Sequence, residues 1–339
     1  MRSEITIDLG ALRRNVKTLL RALDGSELWA VVKADAYGHG AVDCAGAALG
    51  AGATALCVAT VAEGLILRAE YPGVRILVMG PASNREVAQA RDTQLALVIS
   101  SDEIPEGVAV HVKLDTGMGR WGMSELPAPT REVVGVMSHL ATADTDTAYT
   151  QWQIERFRAA TEPLAHLTRH IANSAGALRY PEARFDAARC GIALYGLSPF
   201  GTDATEDGLE PVLSWSSEIA LSKLIRAGES VGYGRRFVAE RDTWVGIVPV
   251  GYADGFRRDL TGTELRVGGE RRRVIGTVSM DATAVELDRE LPPGTPVTIV
   301  GLGLPLEEHA RVAETITYEL ACGIDSTSQR ARRVVLDSA

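Results

Sequence analysis

A single lysine ends the apolar run Ala30-Val31-Val32-Lys33, and Ala34-Asp35-Ala36-Tyr37-Gly38-His39-Gly40 follows at once. Trp29 to Val32 reads as a buried parallel strand, because its residues are apolar without alternation. An ammonium ion is costly to bury in such a place. Desolvation lowers a lysine pKa and turns the amine into a nucleophile, so a neutral or imine-bound lysine has a use there. That is Schiff-base chemistry, for which pyridoxal phosphate is the commonest partner. The plainer reading of a lone lysine is a strand-terminal side chain snorkelling to solvent.

Lys33 is not alone. Lys113-Leu114-Asp115-Thr116-Gly117-Met118-Gly119-Arg120 ends a later apolar run. Ser138-His139-Leu140 and Ala172-Asn173-Ser174-Ala175-Gly176 end two more, and Arg189-Cys190-Gly191-Ile192 opens the last. Eight such runs are present: Trp29–Ala34, Ala55–Thr60, Arg75–Gly80, Leu95–Ser100, Val108–Asp115, Val133–Leu140, Leu167–Ser174 and Arg189–Tyr195. Helical patterns or short polar links separate them, which implies a parallel sheet. Eight strand–helix units predict a (β/α)8 TIM-like barrel with its site at the C-terminal strand ends.

Between the runs, Val42–Leu49 is Ala-rich and Thr150–Ala160 is amphipathic, with Trp152, Ile154 and Phe157 as its apolar residues. Leu12, Val16, Leu19 and Leu20 mark one face of an earlier helix. Only Ser101–Gly107 joins the fourth and fifth runs, and Trp121–Glu132 the fifth and sixth. A parallel crossover normally needs a dozen or more residues. The first of these links is therefore expected to hold one turn at most, leaving part of the outer helical layer missing.

After Gly196 the texture changes. Ser198 to Gly208 is polar and turn-rich, as an interdomain linker would be. The β-branched segments Glu218–Ile225, Thr243–Val250, Glu264–Val267, Arg273–Val278 and Val297–Val300 then predict a mainly antiparallel β domain. The expected division is 1–208 for the barrel and 209–339 for the β domain.

The 339 residues allow two domains, and 46% hydrophobic content can fill their cores. A net charge of −9, with no basic tract longer than Arg271-Arg272-Arg273, argues against nucleic acid as a partner. No apolar stretch reaches the length of a membrane span, and Met1 to Ile5 opens no signal-peptide core. Cys44, Cys57, Cys190 and Cys322 have no metal-ligand spacing and read as reduced thiols of a cytoplasmic protein.

These motifs are joined downstream by Gly232-Tyr233-Gly234, Pro249-Val250-Gly251-Tyr252-Ala253-Asp254-Gly255 and Val278-Ser279-Met280-Asp281. In this order, across nearly the whole chain, they resemble the alanine racemases among the fold-type III pyridoxal phosphate enzymes. The resemblance implies an isomerase acting on alanine as a homodimer with a shared site, supplying D-alanine for peptidoglycan. Lys33 would hold pyridoxal phosphate as an imine and serve as one base. Tyr37, Asn173, Ser174 and the Gly191 and Ile192 amides would cradle the phosphate, as amide donors do for anions. Ser174 by itself reads equally well as a helix N-cap.

Arg189 would face the pyridine nitrogen. An arginine can only donate and stays protonated, so the ring nitrogen would stay unprotonated and the ring would be a weaker electron sink. By residue type alone Arg189 also suits an ion pair with Asp186. Tyr233, supplied by the second subunit, would be the opposite base, with His139 between it and Arg189. From its immediate neighbours Tyr233 reads as a turn residue between two glycines. Arg120 would take the substrate carboxylate, together with the Met280 amide, and Tyr252 would line the entry. Lys113 would be carbamylated, which converts a repulsion with Arg120 into an attraction.

The chain departs from the family pattern near its end. Relatives place a tyrosine there that touches the phosphate and narrows the pocket, whereas the last tyrosine here is Tyr318. Ser326 or Thr327 is expected in its space, with a wider pocket that admits serine. Related decarboxylases pair the ring nitrogen with a carboxylate, and barrel-only cofactor-binding relatives lack the β domain. Arg189, Tyr233 and Met280 disfavour both.

Overall fold

The computed structural model describes residues 2–327 and 329–337. Its contacts divide the chain into two compact units, Ala11–Glu210 and Met1–Gly10 with Pro211–Ala339. The first ten residues thus join the C-terminal unit rather than the barrel. The cause is strand β1 (Ser3–Asp8), which pairs antiparallel with Leu213–Glu218 and parallel with Arg332–Leu336. Its alternating burial matches a sheet with one covered face.

The first unit is a nearly closed parallel barrel. Its strands are β2 (Glu27–Val31), β3 (Ala55–Val58), β4 (Arg75–Val78), β5 (Ala96–Ile99), β6 (Val110–Lys113), β7 (Val133–Met137), β8 (Thr168–His170) and β9 (Ala187–Cys190). They lie in the order β8-β7-β6-β5-β4-β3-β2-β9, every neighbouring pair parallel. Each of the eight expected runs contains or overlaps a strand, but Leu167–Ser174 is strand only at Thr168–His170, and Arg189–Tyr195 leaves the strand after Cys190 for a short turn at Ile192–Tyr195. The seam between β8 and β9 carries backbone bonds from Asp186 N–H to Arg169 O (3.1 Å) and from Arg189 N–H to Ala172 O (3.0 Å) in place of a continuous ladder.

Helices Ala41–Gly50, Val61–Glu70, Asn84–Asp92 and Thr147–Thr161 cover the barrel strands they connect. Capping boxes start two of them: Thr60 with Glu63, and Ser83 with Glu86. No helix lies between Ile99 and Val110 or between Lys113 and Val133, so the outer layer is missing where the links are short. The helix Thr147–Thr161 corrects one expectation. Ile154 and Phe157 are fully buried, but Trp152 is 48% exposed and packs on Tyr149, ring centroids 5.2 Å apart. At about 100° per residue, Trp152 sits off the stripe formed by Thr150, Ile154, Phe157 and Thr161.

The second unit is built on a nine-stranded sheet. Its spatial order is Leu221–Ile225, Thr243–Val248, Thr283–Leu287, Glu270–Ile275, Glu264–Val267, Pro296–Val300, Leu213–Glu218, Ser3–Asp8 and Arg332–Leu336. All its pairings are antiparallel except the last. The expected single segment Glu218–Ile225 is two strands meeting at a bend, and Thr283–Leu287 and Arg332–Leu336 are additional. Both were hidden by charged residues on the solvent face of a short strand. Among the described residues no helix is long and apolar enough to cross a membrane, and no group of three or more His, Cys, Asp or Glu is placed to hold a metal ion. Cys44, Cys57 and Cys190 are buried free thiols, and Cys322 is exposed.

Candidate active site

Lys33 stands two residues past the end of β2 and opens an uncommon turn. Ala34, Asp35, Ala36 and Tyr37 all take the left-handed conformation, with φ between 50° and 56°. Such residues cost roughly 1–2 kcal/mol each, so neighbours must hold them. Glu63 does so from the start of the next-but-one helix. Its carboxylate accepts the Ala34 N–H at 2.7 Å, the Ala59 N–H at 2.8 Å and the Thr60 N–H at 3.0 Å. Asp35 accepts the Ala41 N–H at 2.7 Å. Glu63 carries a signal legible in the sequence, since its place three residues after Thr60 is that of a capping box.

The turn buries Tyr37 beside Gly191. A Cβ on Gly191 would lie 2.4 Å from the Tyr37 hydroxyl, so only glycine fits there. Ser174 meets the same spot: its Oγ accepts the Gly191 N–H at 3.0 Å and the Ala193 N–H at 3.4 Å. The N-cap of helix Ser174–Arg179 is Asn173, whose Oδ1 accepts the Gly176 N–H at 2.9 Å. Ser174 is therefore not the N-cap of this helix. Ile192 is buried at the start of the short turn Ile192–Tyr195. Tyr37, Ser174 and Gly191 thus meet at one place, where Ser174 Oγ takes the Gly191 N–H.

Arg189 occupies the barrel interior, 3% exposed. Its Nη1 donates to His170 Nδ1 at 2.5 Å and to the His170 carbonyl at 3.0 Å. Nη2 donates to the carbonyls of Ser138 (2.8 Å) and Ile171 (3.2 Å), with His139 Nδ1 at 3.3 Å. Its Nε–H meets no acceptor among the described residues. Asp186 pairs with Arg169 instead, so the ion pair considered for Arg189 does not form. Burial pulls Arg189 down to about 10, and no carboxylate faces it. Burial, then the Arg189 charge, also holds His139 well below the ordinary histidine value.

Lys113 ends β6 and is 5% exposed. Burial first, then Arg189 and Arg120, pulls its amine down to about 8. Asp115, two residues on, organises the loop that carries Arg120. Its Oδ1 accepts the N–H groups of Gly117 and Met118 at 2.9 Å each, and its Oδ2 accepts that of Gly119 at 3.1 Å. Arg120 is exposed at the end of that loop. Asp115, already part of the Lys113–Arg120 motif, stands two residues before Gly117-Met118-Gly119, a turn-forming position for an aspartate.

The remaining candidates lie in the second unit. Tyr233 is 72% exposed, between Gly232 and Gly234 at φ 74° and 72°, as its neighbours foretold. Its carbonyl accepts the Thr277 hydroxyl at 2.9 Å. Tyr252 and Met280, 43% and 53% exposed, sit on adjoining loops. Tyr252 N–H donates to Ser279 O and Ala253 N–H to Met280 O, both at 3.0 Å. Gly251 allows this approach, since a Cβ there would lie 2.2 Å from Ser279 O. Buried Asp254 accepts the Gly251 N–H at 2.8 Å and pairs with Arg2 (3.2 Å) and Arg330 (2.9 Å). Ser326 is half-buried and Thr327 exposed, and Ser326 lines a groove with Arg2 and Arg330.

A lysine just past a strand end, the hydroxyls of Tyr37 and Ser174, and the Arg189 Nε–H are groups of the types that a phosphorylated pyridine aldehyde would engage. The comparisons agree in kind. The family models described as alanine racemase, N-terminal domain and alanine racemase, C-terminal domain match residues 7–199 and 212–335. Alanine racemase 1 of Bacillus subtilis is 41% identical over 96% of this chain and 91% of its own. The crystal structure of alanine racemase from Streptomyces lavendulae superposes with a TM-score of 0.91 at 35% identity, covering 100% of this chain and 98% of that one. The alanine racemase of Bartonella henselae, solved with covalently bound pyridoxal phosphate, gives 0.88 at 27% identity, over 99% of this chain and 100% of that one. The chain belongs to the alanine racemase family.

Proposed function

We propose that this protein interconverts L- and D-alanine by moving one α-proton between two bases, with pyridoxal phosphate held at Lys33. The observation that carries the reading is the barrel interior, where Arg189 and Lys113 are buried with no carboxylate facing the guanidinium. Such a site favours a dianionic ligand with an electron-rich ring. Tyr37, Asn173, Ser174, Gly191 and Ile192 are the proposed phosphate residues. The group supplies, when bound, an electron sink that acidifies the α-C–H bond of an attached amino acid.

The chain's own residues supply the rest. Lys33 Nζ exchanges the proton on one face of the α-carbon, and the phenol of Tyr233 of the partner subunit exchanges it on the other. A phenol has an ordinary pKa near 10, so it needs a partner that shares its proton, the role proposed for His139 behind it. His139 suits this because its Nδ1 is taken by a donor-only arginine, which leaves a proton on Nε2. The Arg189 Nε–H is the donor proposed for the ring nitrogen. Arg120, aimed by the Asp115 loop, clamps the carboxylate with the Met280 amide of the second copy, beside Tyr252. Lys113, as a carbamate, draws Arg120 into place; its lowered amine is the form that adds carbon dioxide.

The working unit is a homodimer, located in the cytoplasm and making D-alanine for peptidoglycan. A second reading is favoured by one observation: no tyrosine follows Tyr318, and the small residue Ser326 is half-buried in that segment. On it, serine is also a substrate. Proton NMR of L-alanine in D2O with the cofactor-loaded protein tests the first reading. Loss of the α-proton signal with appearance of D-alanine supports it, and retention overturns it. The same run with L-serine tests the second.

A further inference from the structure

Behind Arg189 the barrel buries two histidines that the proposed reaction does not use. His170 Nε2 lies 2.8 Å from His111 Nδ1, and His111 and His170 are 2% and 0% exposed. Donor chemistry orders the chain. A guanidinium has no acceptor, so the His170 nitrogen facing it, Nδ1, must carry a lone pair. The His170 proton then sits on Nε2 and donates to His111 Nδ1, which must also carry a lone pair. Both rings are neutral Nε2–H tautomers, and the direction Arg189 to His170 to His111 is forced.

The fold makes room for this arrangement at a cost. Gly135, at the centre of β7, lies beside His111 in register. A Cβ on Gly135 would stand 2.1 Å from His111 Nδ1 and 2.8 Å from the Thr168 carbonyl. Gly135 is absent from the positive-φ positions, so the backbone does not call for glycine there. A glycine inside a strand weakens it, and here it provides the space of the imidazole. Trp29 closes the other side, its ring 4.5 Å from His170 and 5.5 Å from His111. Burial, assisted by Arg75 and Arg189, lowers His111 to about 3 and keeps His170 well below its ordinary value.

We infer that His111 is a positioning residue for the racemisation: its Nδ1 lone pair selects the His170 tautomer that in turn seats the Arg189 guanidinium. The inference rests on the proposed role of Arg189 for its effect on turnover, and on geometry alone for the tautomers.

The test uses the full chain with ring-15N-labelled histidine, whose six histidines are few enough to resolve. In the parent protein His170 and His111 should each show an unprotonated Nδ1 and a protonated Nε2. A protonated Nδ1 on His170 overturns the inference, whatever the substrate proves to be. His111→Leu removes the lone pair, whereas His111→Asn places an amide oxygen where Nδ1 was. Loss of a supporting hydrogen-bond partner typically costs about 10- to 100-fold, so kcat should fall by about tenfold or more in His111→Leu. His111→Asn should recover most of it, and KM for alanine should move little in either. Gly135→Ala should copy His111→Leu and shift the absorbance of the bound cofactor. Equal losses in His111→Leu and His111→Asn, or an unshifted His170 signal in His111→Leu, would mean that the ring only fills space. If His111→Leu does not fold, the parent spectrum and His111→Asn still decide the matter.

Discussion

The two units treat charge in opposite ways. Several arginines of the β unit pair with carboxylates: Arg271 with Glu264 and Glu308, Arg257 with Asp259 and Glu319, Arg330 with Asp254 and Asp281. Even its deeply buried Asp254 has two arginines. The barrel unit has such pairs on its outside too, as in Arg75 with Glu27 and Arg169 with Asp186. Inside, it does not: Arg189 is satisfied by carbonyls and imidazoles, which accept its protons without cancelling its charge. Hydrogen bonding and charge balance are separate requirements. At Arg189 the barrel interior meets only the first, whereas at Asp254 the β unit meets both; on the proposed reading the second is met at Arg189 by the bound cofactor.

The largest expected effect is at Lys33. Lys33→Ala should lower turnover in both directions by on the order of 10⁴-fold or more, as losing a covalent nucleophile does, read by polarimetry. It would also remove the imine absorbance of the loaded protein. Tyr233→Phe, in the charge-balanced unit, should cost about 10²- to 10⁴-fold but in one proton abstraction only. Deuterium incorporation into L- and D-alanine measured separately would reveal that asymmetry. Equal incorporation in the two directions would remove Tyr233 from the mechanism.

Next comes stability. Arg189→Leu strands several buried acceptors and should destabilise the protein by about 3 kcal/mol, measured by urea unfolding without cofactor. If it stabilises instead, the uncompensated charge outweighs its hydrogen bonds, which sharpens the contrast with the β unit. Lys113 provides a pH test. Its folded value, about 8, lies below its ordinary 10.5. Below pH 8 the unfolded and folded amines both hold the proton, and the full penalty of burying it applies. Between 8 and 10.5 only the unfolded chain holds it, so stability rises with pH across that window and then levels. The urea midpoint of bicarbonate-free protein should follow this rise, and Lys113→Met should flatten it. Smallest of all is Arg271→Ala in the β unit. An exposed network of this kind contributes below about 1 kcal/mol, so its midpoint should barely move, and less so at high salt.

Much of the barrel could be read from composition along the chain. A parallel strand buried on both faces is largely apolar, as β3, β5 and β7 are throughout, while β6, β8 and β9 interrupt the pattern with the polar residues His111, Lys113, Arg169, His170 and Arg189. The missing helices were readable too, since seven residues from Ser101 to Gly107 leave no length for a crossover helix. The β unit was less legible because its strands alternate and its edges are charged, so Thr283–Leu287 and Arg332–Leu336 passed for loop. Pairing of β1 with the far end of the chain is a contact across more than 300 residues, which no local pattern encodes.

For the site, residue type determined what each group can do: Lys33 can form an imine and Arg189 can only donate. Tertiary structure decided what each group does do. It made Asn173 rather than Ser174 the cap, gave Asp186 to Arg169, and held the left-handed turn after Lys33 with Glu63 from another helix. It also hid His111 behind Arg189. Residue chemistry is a property of the side chain and travels with the sequence. Desolvation, partner choice and tautomer depend on neighbours that the chain brings together only when it folds.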